Sequence, residues 1–252
     1  MYTTPNTDLQ WETFPIDFIS SLCYSYHRRR FVQIVAAIFA NVLWGQSMDQ
    51  PDFERAKRYA LERLEQELPP IMLYHSVAHT RDDVVPAAER LAALEGVDGE
   101  PLLLLRTAAY YHDLGHVEQY TNHEAIGARI AAEVLPHLSY SAAHIQVISG
   151  IIMATKLPQS PRTLLEEIMA DADLDILGRD DFLARNQDLR AERAALGMPT
   201  TDEEWYSGQL EFIQTHRYFT AAARTLRDAR KQQNIKEMTK LLEKCQDQGD
   251  NT

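Results

Sequence analysis

The segment LLLLRTAAYYHDLG, residues 102 to 115, is apolar on nearly every side of a helical wheel. A helix without a polar face has to run through the interior, so the rest of the chain must supply the layers around it. Apolar positions elsewhere recur at helical spacing, with no alternating strand pattern of useful length and no repeat of fixed period. The expected fold class is all-α, a helical bundle built around this segment.

The flanking helices can be read from their stripes and breakers. Phe53, Ala56, Ala60, Leu64 and Leu68 fall on one face, and Pro69 with Pro70 ends that helix. Val77, Val84, Ala88, Leu91 and Leu94 form a second stripe that Pro86 should kink or restart and that Gly96 and Gly99 close, after which Pro101 opens the central helix. Thr121 and Glu124 make a capping-box pattern for a helix with Ile126, Ile130 and Val134 inward. Ser160 and Pro161 suit the N-cap and first turn of another, which ends near Asp173. Thr201 and Glu204 form a second capping box, a charged helix covers roughly residues 218 to 245, and the tail CQDQGDNT should be loose.

A length of 252 residues with 45% hydrophobic content supports one sizeable domain, read as residues 51–252, with residues 1–50 as an N-terminal helical extension. The formal net charge of -12 argues against a nucleic-acid polymer as partner, because phosphate backbones need a basic face. Residues 31 to 45, FVQIVAAIFANVLWG, follow Arg28, Arg29 and Arg30 but are too short for a membrane span and include Gln33 and Asn41. They read instead as a buried helix or as a surface for a homo-oligomer or another partner. Two cysteines, Cys23 and Cys245, form neither a disulfide framework nor a zinc cluster, which fits a reducing, cytoplasmic setting.

The chemistry concentrates in three runs: YHSVAHT (74 to 80), AAYYHDLGH (108 to 116) and ADADLDILG (170 to 178). An adjacent His112 and Asp113 on an apolar helix would be costly to bury without a partner. Together with His79 and Asp173 they compose a two-imidazole, two-carboxylate donor set for one divalent ion, with manganese, iron, magnesium and zinc all admissible. Such an ion acidifies water to hydroxide and polarises a phosphoryl group. Neighbours on a helix point about 100° apart, and Gly115 just past the pair would let the helix stop so that both side chains turn to one ion.

These runs resemble the HD superfamily of metal-dependent phosphohydrolases over residues 73 to 178. The resemblance implies an HD-domain helical bundle in which His79, His112, Asp113 and Asp173 are metal ligands, with Asp113 bridging if two ions are held. YHSVAHT also looks like the tyrosine-histidine motif of cyclic-nucleotide phosphodiesterases, which would make His75, four residues before His79, the general acid. His116 would then support the site or take part in acid-base work. The helix HIQVISGIIMATKLPQ lacks the further histidines usual in two-metal members, so one tightly held ion is expected, with a second, weaker one held through Asp113 and water.

The implied activity is hydrolysis of a phosphomonoester or phosphodiester, of a nucleotide or related small metabolite, by metal-bound hydroxide. Lys156 is the preferred phosphate clamp among Arg81, Lys156, Arg162 and Arg179. His27, His137, His144 and His216 receive no role, whereas His123 and Glu124 stay open between helix capping and the site. Asp171 and Asp175 flank Asp173 as competing ligands. Trp11, Trp44, Trp205, Tyr110 and Tyr111 are core residues or stacking surfaces for a base. Two other classes remain: a nucleotide-binding regulatory module with little turnover, and a di-iron oxygenase on the same scaffold.

Overall fold

The structure is a computed structural model that describes residues 50–249. Expectations for residues 1–49, including segment 31 to 45, Cys23, Trp11 and Trp44, lie outside the described residues, as do residues 250–252.

Among the described residues there are nine α-helices and no strand. They are α1 (Phe53–Glu67), α2 (Val85–Leu94), α3 (Gly99–Tyr111), α4 (His123–Val134), α5 (Ala142–Met153), α6 (Leu164–Asp173), α7 (Phe182–Ala195), α8 (Asp202–Thr215) and α9 (Ala221–Gly249). A π-helical turn, His79–Val84, leads into α2, and short 3-10 turns span Leu114–Val117, Leu135–Leu138 and Asp175–Gly178. No helix among the described residues is long and apolar enough to cross a membrane.

Helix α3 occupies the middle, as its composition demands. It packs on α1, α2, α5 and α6, and Leu104, Leu105, Ala108, Ala109, Tyr110 and Tyr111 are all buried. Tyr110 and Tyr111 therefore serve the core, and the Tyr111 hydroxyl donates to the Ala56 carbonyl of α1 at 3.1 Å. The α1 stripe is as expected, with Ala56, Ala60 and Leu64 buried. Pro86 falls in the first turn of α2, where a proline costs nothing, so the kink expected there is a π turn followed by a restart.

Three boundaries differ from expectation. The N-cap of α4 is Asn122, in the left-handed region at φ 61, and no side chain caps it; the Thr121 hydroxyl instead accepts from Gln119 at 2.7 Å. Glu124 is thereby released from capping and is buried. Thr163, not Ser160, caps α6, because its side chain reaches the Glu166 amide while Ser160 and Pro161 stay in the preceding loop. The residues of CQDQG extend α9 rather than fraying. The capping box of Thr201 and Glu204 on α8 is present with both of its hydrogen bonds.

Candidate metal centre

His112 is the C-cap of α3 and keeps helical geometry, whereas Asp113 leaves it at φ -98 and ψ 1. That single step out of the helix turns the two neighbouring side chains toward one point. Gly115 does not supply the left-handed conformation expected of a helix stop. Its need for glycine is steric, since a Cβ there would lie 2.0 Å from the His123 carbonyl oxygen.

The π turn brings His79 to the same point and the end of α6 brings Asp173. His79 Nε2 lies 3.5 Å from Asp173 Oδ1 and 3.7 Å from Asp113 Oδ2. His112 Nε2 lies 3.5 Å from Asp173 Oδ1 and 3.2 Å from Asp113 Oδ2. His79 Nε2, His112 Nε2 and Asp113 Oδ2 are buried and have no hydrogen-bond partner. Leaving buried polar atoms unpaired costs about 1–3 kcal/mol each, so three of them aimed at one point ask for a cation. The His112 ring orientation agrees: Nδ1 donates to the Ala109 carbonyl at 2.8 Å, which leaves Nε2 as the nitrogen that faces inward.

The charges are organised for the same purpose. Burial disfavours the His112 imidazolium, but Asp113 and Asp173 outweigh it and raise its pKa well above the usual histidine range. Burial also opposes ionisation of Asp113 and Asp173, yet the surrounding imidazoles hold both below the usual carboxylate range. A dication would take over the role that those protons play.

The flanking aspartates are otherwise engaged. Asp171 accepts from the Phe219 and Thr220 amides, both at 2.8 Å. Asp175 pairs with Arg227 at 2.7 Å and with Arg90 at 3.0 Å. Asp173 alone of the three faces the histidines.

The other carboxylate oxygen of Asp113 faces a second group. Asp113 Oδ1 lies 3.4 Å from His123 Nε2 and 3.8 Å from His116 Nε2. Ligand atoms of His75, Asp113 and His116 lie within 4.8 Å of one another, as do those of His79, His112 and Asp173. His123 Nδ1 donates to the Tyr120 carbonyl at 3.2 Å, so Nε2 is the ring nitrogen turned toward Asp113. His116 stacks on His123 with ring centroids 3.8 Å apart, and burial pushes the His116 pKa down to about 2, which keeps it neutral. Both His116 nitrogens and Glu124 Oε2 are buried without hydrogen-bond partners. His123, at the start of α4, thus lies beside Asp113, a neighbour that the sequence left open. The run NHEAIG could have signalled it, because Gly127 one turn on lets α4 press against the end of α3: a Cβ there would meet the Tyr111 carbonyl oxygen at 2.7 Å.

His75 sits beside this second group with its ring turned by Glu192. His75 Nδ1 donates to Glu192 Oε1 at 2.6 Å, and Glu192 Oε2 accepts from the Tyr74 and His75 amides at 2.9 and 3.0 Å. Burial disfavours the His75 imidazolium, but the Glu192 hydrogen bond and then Asp113 raise its pKa above the usual value. Glu192 escaped the reading of the sequence, since a glutamate in a charged helix 117 residues from its partner carries no local signal.

Both groups open on a cavity of about 600 Å³. Lys156 lines it and donates to Asn122 Oδ1 at 3.1 Å. Arg179 is tied to Asp83 and Asp181, and Arg81 to Asp82, so neither is a free cation. Arg162 does not line the cavity, and His144 caps α5 and pairs with Glu100 at 2.9 Å. Trp205 is buried in the cavity wall, its indole N–H donating to Asn186 at 2.8 Å.

The sequence model of the HD domain family matches residues 72–175. The HD-domain likeness is confined to this segment of the chain. The match begins just before His75 and ends at Asp175, so it contains all of the residues grouped around Asp113 except Glu192. The match supports a metal-dependent hydrolase superfamily for this part of the chain. Among solved structures, the chain is similar to a predicted HD superfamily hydrolase from an uncultured Thermotogales bacterium, at 23% identity over 65% of this chain and 90% of that one, with a TM-score of 0.46. No curated protein matches the sequence at comparable significance. Helices α7, α8 and α9 lie beyond the matched HD domain, and α7 and α8 supply Glu192 and much of the cavity wall.

Proposed function

We propose that the protein is a metal-dependent phosphohydrolase acting on a small phosphomonoester or phosphodiester, of a nucleotide or a related metabolite, in the cytoplasm. The observation that carries this reading is the convergence of unpartnered, buried nitrogen and oxygen atoms of His79, His112 and Asp113 beside Asp173. Two imidazoles and two carboxylates suit a borderline or hard divalent ion and leave room for water and a phosphoryl oxygen. Such an ion would supply acidified water and offset phosphoryl charge.

The protein's own residues divide the remaining work. Glu192 fixes the His75 ring and favours its protonated form, so His75 is placed to give the Nε2 proton to the departing ester oxygen. Against a bound dication the contributions of Asp113 and Asp173 to that proton would be offset, and Glu192 would be its principal support. His116, kept neutral, holds an inward lone pair between His75 and His123. Lys156 at the cavity wall is the clamp for a phosphate oxygen. Asp113, His116 and His123 would hold a second, weaker ion beside the first.

The test is direct. Protein purified without chelators is assayed for bound metal, then for phosphate or monoester release from mono-, di- and cyclic nucleotides with added manganese. Asp113→Ala should remove both metal and turnover. Wild-type protein that stays empty after reconstitution, or that binds metal and hydrolyses no phosphate ester, would end this reading.

A further inference from the structure

One face of α7, made by Phe182, Asn186, Leu189 and Arg193, and one face of α8, made by Trp205, Gln209 and Phe212, wall the part of the cavity beyond the histidines. Most of these side chains are apolar, and the two amides are committed to each other: Asn186 Nδ2 donates to Gln209 Oε1 at 2.6 Å. Two charged residues share this wall: Glu204, whose carboxylate accepts from the Thr201 amide and hydroxyl at 2.8 and 3.0 Å, and Arg193.

Arg193 makes no hydrogen bond and no ion pair among the described residues, and its Nε is shut off from solvent without a partner. The other arginines of α7 are paired, Arg185 with Asp188 and Arg190 with Asp202, both at 2.7 Å. In a chain of net charge -12, an unpaired guanidinium against a cavity is conspicuous. Its neighbour Glu192 is already occupied by His75. Arg193 acts electrostatically on Tyr120, whose ring lies against His116 with centroids 5.4 Å apart. Arg193 and Tyr120 line the same cavity, so the guanidinium stands on the α7 wall and outside the cluster of metal-ligand candidates.

We infer that Arg193 is a specificity residue for a second anionic group, so that the preferred substrate is a phosphate ester whose largely apolar organic part lies along α7 and α8 and ends in another phosphate or carboxylate. This rests on the hydrolytic reading of the neighbouring centre. A guanidinium offers a planar fork that such a group can engage with paired hydrogen bonds.

The test uses non-hydrolysable probes, a length series of linear alkylphosphonates and the matching α,ω-bisphosphonates, titrated calorimetrically into manganese-treated protein. Wild type should bind the bisphosphonate of best length roughly tenfold or more tighter than its monophosphonate counterpart. Arg193→Met should bring that ratio close to one at an unchanged melting temperature, and Arg193→Lys should restore part of it. A ratio unaltered in Arg193→Met, or no preference for a bisphosphonate of any length in wild type, overturns the inference. An Arg193-dependent preference in a protein that releases no phosphate from any ester would uphold the subsite and reject the hydrolytic reading.

Discussion

At the scale of single residues, the contact between His75 and Glu192 decides more than its exposure suggests. A carboxylate on Nδ1 fixes which ring nitrogen faces the cavity, and it favours the protonated ring at neutral pH. Glu192→Gln should therefore leave metal content unchanged while lowering kcat by roughly 10²-fold, with the pH limb of the general acid displaced to lower pH. Metal analysis beside a pH-rate profile checks it, and an unaltered profile would count against the assignment. His75→Ala should likewise retain metal and lose turnover, least for substrates with a good leaving group.

Residue identity also shows how far local reading reaches. Asp171, Asp173 and Asp175 are alike in a sequence, and only their partners separate them: two backbone amides for the first, two guanidiniums for the last. Glu124 carried a capping-box signature that was fully plausible, yet the left-handed Asn122 took the cap and sent the carboxylate inward.

At the scale of elements, α3 and α4 make the centre by meeting end to side. Two glycines permit that approach, Gly115 under the His123 carbonyl and Gly127 against the Tyr111 carbonyl. Gly127→Ala should force α4 away from α3, because the obstacle is backbone and cannot rotate aside. The expected cost is about 1–3 kcal/mol of stability together with weaker metal binding, read from urea denaturation and metal titration. The π turn at His79–Val84 is the counterpart on the other side of the centre. Such insertions re-aim side chains within a helix and gather at functional sites. Nothing in its sequence distinguishes it from an ordinary turn.

At the scale of the whole molecule, the centre should couple metal to stability. An ion held at about 100 times its Kd adds about 2.7 kcal/mol, which in a domain of this size is roughly 5–10 °C in Tm. Chelation should therefore lower the melting temperature by that amount in wild type and leave Asp113→Ala unmoved.

A second linkage lies away from the centre. His216 accepts from Lys231 Nζ at 2.9 Å, and burial followed by the Lys231 charge pushes its pKa down to about 3. The unfolded chain protonates this histidine near 6.5, so between about 6.5 and 3 the unfolded state binds the extra proton. The stability that His216 contributes is present above that window and is lost as pH falls through it. The stability gap between wild type and His216→Gln should accordingly shrink from pH 7.5 to about pH 5 in urea titrations. A gap that is constant with pH would contradict the burial argument.

The sequence by itself determined the helical class, the central place of α3 and the residues from which a cation site could be made. Those properties follow from periodicity, apolar content and donor chemistry, which are local. Only the tertiary structure decided which donors share a point, that His123 lies beside Asp113 and Glu124 turns inward, that Glu192 orients His75, and that Arg193 alone among the α7 arginines lacks a carboxylate. Each depends on contacts between segments far apart in the chain, set by how closely helices can approach, and no local pattern encodes that distance.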